Sequence, residues 1–150
     1  MATKIEDIYD AIVTTIEGEL TTYRRLPNPY APETSTFLQL QQGYGLAVGP
    51  GRDTERYVGC LVTWERVFTI LLVNQITATQ NNIDSRVIIE KDLLIAHDLL
   101  RKAFYNNSTL GGEAIKTTVS DDGGFQFLDA ERLKFLTLEI NLITEYQEAP

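Results

Sequence analysis

Two runs of strict alternation constrain what this chain can fold into. In the first, from Gly59 to Val73, the side chains of Val62, Trp64, Phe68, Ile70 and Leu72 share one face. In the second, from Leu133 to Tyr146, Leu136, Leu138, Ile140 and Leu142 alternate with Thr137, Glu139, Asn141 and Ile143. A period of two puts alternate side chains on opposite faces of a pleated strand. Each run therefore predicts a strand with one face on a core and the other toward solvent. Ordinary strands span ~5–6 residues, and both runs are longer. A chain of 150 residues is one domain by length, with a small core for strands of this span. Both strands are expected at the centre of the sheet, with their spare ends or flanking loops touching a neighbouring subunit.

The remaining pattern supplies two helices. Ile5, Ile8, Tyr9, Ile12, Ile16 and Leu20 recur at spacings of three and four, which predicts an amphipathic helix over Thr3–Leu20. Thr3 and Glu6 match a capping box, and Glu6 and Asp7 suit the positive end of the helix dipole. A second helix is expected from Ser85 to Tyr105 behind an Asp84 N-cap. Its stripe is Ile89, Leu93, Ala96, Leu100 and Ala103, widened by Ile88, Ile95 and Leu99, with Arg101 and Lys102 near the C-terminal end.

Pro27, Pro29 and Pro32 forbid regular structure and predict an ordered loop or crossover. A short strand is expected over Thr36–Gln42, then a glycine-rich hairpin tip in which Pro50-Gly51 is the turn. Ile76–Asn82 is turn-like. Ala114–Val119 reads as a short strand, Asp121–Gly124 as a turn and Phe125–Leu128 as a further short strand. The order predicts one α+β domain over residues 1–150. Its mostly antiparallel sheet has four to five strands, with two amphipathic helices packed on one face.

Composition narrows the function classes. A net charge of −8 argues against bulk attraction to nucleic acid or to an anionic membrane. No apolar run approaches the ~20 residues a membrane helix needs, and the first residues lack the pattern of a signal peptide. The chain is expected in the cytoplasm where it is made. Cys60 is the only cysteine and reads as a small buried hydrophobe. His97 is the only histidine, on the border of the second helix's apolar stripe, with Asp98 turned to a different face.

Gly43-Tyr44-Gly45 with Gly49 and Gly51 lacks the Lys-Ser or Lys-Thr pair of a phosphate loop, and Val48 stands where a dinucleotide fingerprint needs glycine. The acids around Asp121 and Asp122 lack the alternate spacing of a calcium loop. The expectation is no catalytic group, no cofactor and no metal, and a protein that is not an enzyme.

Contact residues are the alternative use of such a surface. Arg66 falls on the strand face of Trp64 and Phe68, where a charge is not buried unpaired. Either its stem covers apolar surface while its head reaches water, or a carboxylate reaches it, from this chain or from a neighbouring subunit. Arg24, Arg25, Arg52 and Arg56 are basic spots in an acidic chain, suited to setting register against an acidic neighbour. Tyr44 sits in the glycine-rich segment, read as a contact loop.

The order resembles a known family. A helix such as Ile5–Leu20 and an extended loop precede the strand Trp64-Glu65-Arg66-Val67-Phe68-Thr69-Ile70-Leu71-Leu72-Val73. A helix such as Ser85–Tyr105 and the closing strand Phe135-Leu136-Thr137-Leu138-Glu139-Ile140-Asn141-Leu142 follow. This resembles the tail terminator proteins of long-tailed bacteriophages and their neck-region relatives, over essentially the whole chain. It rests on element order and strand character, and no family motif assigns a residue.

The resemblance implies a virion protein, assembled in the host cytoplasm. It implies a ring, usually hexameric, on the last ring of the tail tube. The ring ends tube polymerisation, offers the surface to which the head or its connector joins, and lets DNA pass without sequence-specific binding. Its partners would be further copies of itself, the tail tube protein and a head–tail connector or neck protein. Two alternatives stand beside it: a head-completion or neck connector protein, and a small monomeric or dimeric α+β enzyme or ligand-binding domain.

Overall fold

The computed structural model describes residues 4–26, 42–58, 61–76, 83–130 and 133–148. Helix α1 (Lys4–Glu19) comes first, with Glu6 and Asp7 in its first turn. The short strand β1 (Arg24–Arg25) and the long strands β2 (Gln42–Val58) and β3 (Leu61–Ile76) follow. Helix α2 (Ile83–Asn106) leads through a 3-10 turn at Leu110–Gly112 to strands β4 (Lys116–Ala130) and β5 (Leu133–Glu148). The 3-10 turn requires its glycines, since Gly111 and Gly112 hold φ of 69° and 95°. Among the described residues no helix is long and apolar enough to cross a membrane.

The sheet order is β1-β2-β3-β5-β4. Only the β1–β2 pairing is parallel. The fold is therefore the α+β sandwich expected, with five strands among the described residues. β3 and β5 are adjacent and central, paired without interruption from Val62↔Glu148 to Ile76↔Lys134.

The spare length of β3 and β5 is taken up inside the chain, contrary to expectation. β2 and β4 are 17 and 15 residues long and cover most of it. Sequence reading shortened both because their breakers look like turns. The Pro50-Gly51 pair lies within β2, where the ladder shifts register between Val48 and Gly51. Asp121–Gly124 lies within β4, where the ladder shifts between Val119 and Asp121 and again between Asp122 and Phe125, and Gly124 carries φ of 72°. An irregular residue in an antiparallel ladder is absorbed as a bulge at little cost to pairing on either side.

The core lies between one sheet face and both helices. Ile8, Ile12 and Ile16 of α1 and Leu93, Leu100 and Phe104 of α2 meet Tyr44, Phe68, Ile70, Leu72, Leu138, Ile140 and Leu142. Each such buried side chain contributes ~1.5–3 kcal/mol.

Other local expectations were off at their ends. α2 begins at Ile83, so Asp84 is inside the helix rather than its cap. The helix also runs on to Asn106, leaving Arg101 and Lys102 short of the last turn. There they bridge Asp98 at 2.7 and 2.8 Å, and the two hydrogen bonds pull that carboxyl below its ordinary value. Thr3, the proline loop, the Thr36–Gln41 part of the expected strand, Cys60, and residues 77–82 lie outside the described residues.

Candidate functional site

Of the six expected contact residues, the five whose side chains are described do not form one cluster. Arg24 is exposed on β1 opposite Gly43. Arg25 donates to the Tyr9 hydroxyl and stacks its guanidinium over the Tyr9 ring, 5.4 Å from the centroid. Tyr44 is no loop residue. It sits in β2 with its ring fully buried, and its hydroxyl donates to Glu17 Oε1 at 2.7 Å. Burial and then that carboxylate raise its pKa. Arg25 and Tyr44 therefore tie β1 and β2 to α1. The side chain of Arg56 lies outside the described residues.

Arg52 and Arg66 stand on opposite faces of the sheet. On the helix-free face, cross-strand register lines up Arg52, Glu65, Glu145 and Lys116 over four strands. Glu65 and Glu145 face each other directly, which is unfavourable for like charges. The flanking cations offset this, and Arg52 reaches Glu65 at 3.2 Å. The same face carries a hydrogen bond from Thr69 Oγ1 to Asn141 Oδ1 at 2.9 Å.

On the helix-bearing face, Gly51, Arg66, Thr144 and Thr117 lie in register. Here the guanidinium of Arg66 fills the space a side chain at position 51 would take. A Cβ on Gly51 would lie 2.7 Å from both Cζ and one terminal nitrogen of Arg66. Arg66 donates to the Gly49 carbonyl at 3.0 Å. Its Nε is buried with no acceptor, as are the hydroxyls of Thr144 and Thr117. No carboxylate pairs with Arg66 among the described residues. The structure thus holds the charge half-buried without an ion pair among the described residues, between the two arrangements the sequence allowed.

Arg66 opens into a cavity of about 500 Å³, lined also by Ile5, Glu6, Tyr9, Asp10 and Val48. Its walls are apolar on β2 and on one side of α1, with a cation on β3. Glu6 and Asp10, one helical turn apart, form the acidic side. Sequence reading found Arg66 but not this cavity. The legible signal was Gly51, which leaves open the place that Arg66 occupies.

A second feature was misread from the sequence. Ile88, Ile95 and Leu99, expected to widen the buried stripe of α2, are 60%, 59% and 40% exposed. A helix presents only about 100° of surface to a sheet, and Ile89, Leu93, Ala96 and Leu100 already fill it. Ile95 and Leu99 instead line a groove of about 250 Å³ with Leu20, Tyr23 and Asp92. There the Tyr23 hydroxyl is buried without a partner, and burial and Asp92 push its pKa up to about 12.

His97 is half-buried in α2, with Nε2 unbonded. Among the described residues, no group of three His, Cys, Asp or Glu side chains could hold a metal. No protein-family model matches the chain, and no curated protein matches it.

Proposed function

We propose that this protein is a structural subunit of a bacteriophage tail. It forms a ring, hexameric on the family resemblance, at the head-proximal end of the tail tube. The ring ends tube growth and presents a joining surface to a head–tail connector. Its action is steric and adhesive, without a chemical step.

The observation that carries this reading is the apolar row Ile88, Ile95 and Leu99, left on the outside of α2. Ile95 and Leu99 are helical neighbours and Ile88 stands two turns before Ile95 on the same side, and exposed apolar side chains gathered on one side of a helix suit a surface that a partner covers. The element order on which the family resemblance rests also supports it.

Purified protein imaged by electron microscopy and weighed by native mass spectrometry tests the reading. Rings in solution, or formed when tail tubes are added, support it. A protein that stays monomeric in both settings refutes it, and binding to DNA-filled heads alone assigns it to the neck connectors. A second reading, a ligand-binding domain, is favoured by the Arg66 cavity, whose volume falls in the ~300–1,000 Å³ range of ligand pockets. A monomer that takes up a small carboxylate there would establish it.

A further inference from the structure

The Arg66 cavity lacks one component. A guanidinium has five N–H donors in a rigid fork matched to a carboxylate. Arg66 uses one terminal nitrogen, Nη1, on a backbone carbonyl, and its other terminal nitrogen, Nη2, is unbonded among the described residues and is not among the buried atoms. Across the cavity, Asp10 has no hydrogen bond or ion pair among the described residues. The floor between them is apolar, and Val48 is exposed there. A matching surface must bring a carboxylate for Arg66, a cation for Asp10 and apolar side chains for the floor.

The chain carries such a surface at the other side of the sheet. On α2, Val87, Glu90, Lys91 and Leu94 follow the spacing of one helix face. Val87 and Leu94 are 39% and 47% exposed. Phe127 of β4, 45% exposed, shares a cleft with Glu90. Neither Glu90 nor Lys91 has an ion pair among the described residues. The cavity opens beside β2 and β3, whereas this face borders β4, which ends the sheet among the described residues. Two different, complementary patches on opposite sides of a molecule make a head-to-tail contact, the kind that closes into rings.

We infer that a second copy of this chain docks in the Arg66 cavity through its Val87–Leu94 helix face. Glu90 of the incoming copy completes Arg66, Lys91 meets Asp10, and Val87, Leu94 and Phe127 cover Ile5, Tyr9 and Val48. The inference rests on the ring reading and names the surfaces by which the ring forms. The neighbour supplies an acceptor that Arg66 lacks among the described residues.

Complementation between variants tests it. Arg66→Gln damages only the cavity. The pair Glu90→Gln and Leu94→Ser, at a half-buried and an exposed position, damages only the helix face. Circular dichroism and thermal melts establish that each variant is folded, and Gly51→Ala, which displaces the guanidinium without removing it, serves as a second cavity variant. By native mass spectrometry and light scattering, wild type forms rings. Each variant alone needs at least ~10-fold more protein to assemble, as expected for a lost charge-assisted contact. An equal mixture forms a 1:1 dimer that grows no further, since one intact cavity and one intact helix face meet and only the damaged patches are left over.

If wild type forms rings and the folded variants assemble at the same concentration, this docking is wrong and the ring reading stands. Variants that fail alone and also fail when mixed overturn the head-to-tail pairing. A wild type that is monomeric both alone and on tail tubes removes the ring reading and this inference together.

Discussion

Gly51→Ala isolates what the glycine does for Arg66. The added Cβ would sit 2.7 Å from the Arg66 Cζ and one terminal nitrogen and 3.0 Å from Nε. Ordinary contact begins near 3.4 Å, so the guanidinium must retreat by roughly 0.7 Å. The 3.0 Å bond to the Gly49 carbonyl then stretches beyond hydrogen-bonding range. A hydrogen bond to a charged group contributes ~1.5–3 kcal/mol, and a half-buried head recovers part of that from water. Against this, replacing glycine at an unstrained position stabilises by ~0.4–1 kcal/mol through the unfolded chain.

The expected net loss in the wild-type background is about 1 kcal/mol. In an Arg66→Ala background the clash and the bond are both absent. There, Gly51→Ala should be neutral or stabilising by ~0.4–1 kcal/mol. Urea melts of the four proteins in this double-mutant cycle give the coupling, expected at ~1–2 kcal/mol. Equal effects of Gly51→Ala in both backgrounds, within ~0.3–0.5 kcal/mol, would refute the placement of Arg66 against Gly51.

Truncating Leu93→Ala, a fully buried residue where α2 meets the core, should cost ~2–5 kcal/mol in denaturant unfolding. Ile95→Ser, on the exposed row of α2, should change stability by no more than ~0.5 kcal/mol. It should nevertheless weaken binding to tail tubes in a sedimentation assay, and unchanged binding would leave the row without that role. Tyr23 holds its proton to about pH 12 in the folded protein, against 10.0 for the free side chain. The unfolded chain therefore releases that proton first, and stability should decline progressively as pH rises from about 10 to about 12. Tyr23→Phe should flatten this part of a stability–pH curve, and at neutral pH it should be neutral or stabilising by up to ~1 kcal/mol.

The legible parts of this protein were those where side-chain period and burial coincide. The alternation over Leu136–Ile143 puts Leu136, Leu138, Ile140 and Leu142 on the core face of β5 as expected, although its other face is not turned wholly to solvent, since Thr137 is buried there; Ile8, Ile12 and Ile16 lie on the buried side of α1. The turn signals were legible but led to the wrong elements. Pro50-Gly51 and Asp121–Gly124 interrupt the local pattern, yet long partner strands carry the ladder past them. Propensity is a local quantity, and pairing along β3 and β5 overrides it. Ile88, Ile95 and Leu99 went astray for a related reason. Hydrophobic period identifies a helix, but the width of its buried stripe depends on what packs against it.

The candidate site divides in the same way. Arg66 on a core-facing strand position is anomalous in the sequence alone, because a buried charge needs a partner. Whether that partner lies within the chain depends on where α1 and β2 come to rest. Tyr44 looked like a contact residue because of its glycine neighbours, and it belongs to the core because register places it opposite Leu72.

By itself the sequence determined the α+β class, the two central strands and the identity of the anomalous arginine. These follow from periodicity and from the cost of burying charge. Only the tertiary structure decided that the spare length of those strands is consumed inside the chain. It alone set Gly51 beside Arg66, formed the cavity against α1, and left apolar residues of α2 outside. Those outcomes depend on cross-strand register and on which helix faces meet the sheet, and both join residues far apart in the chain.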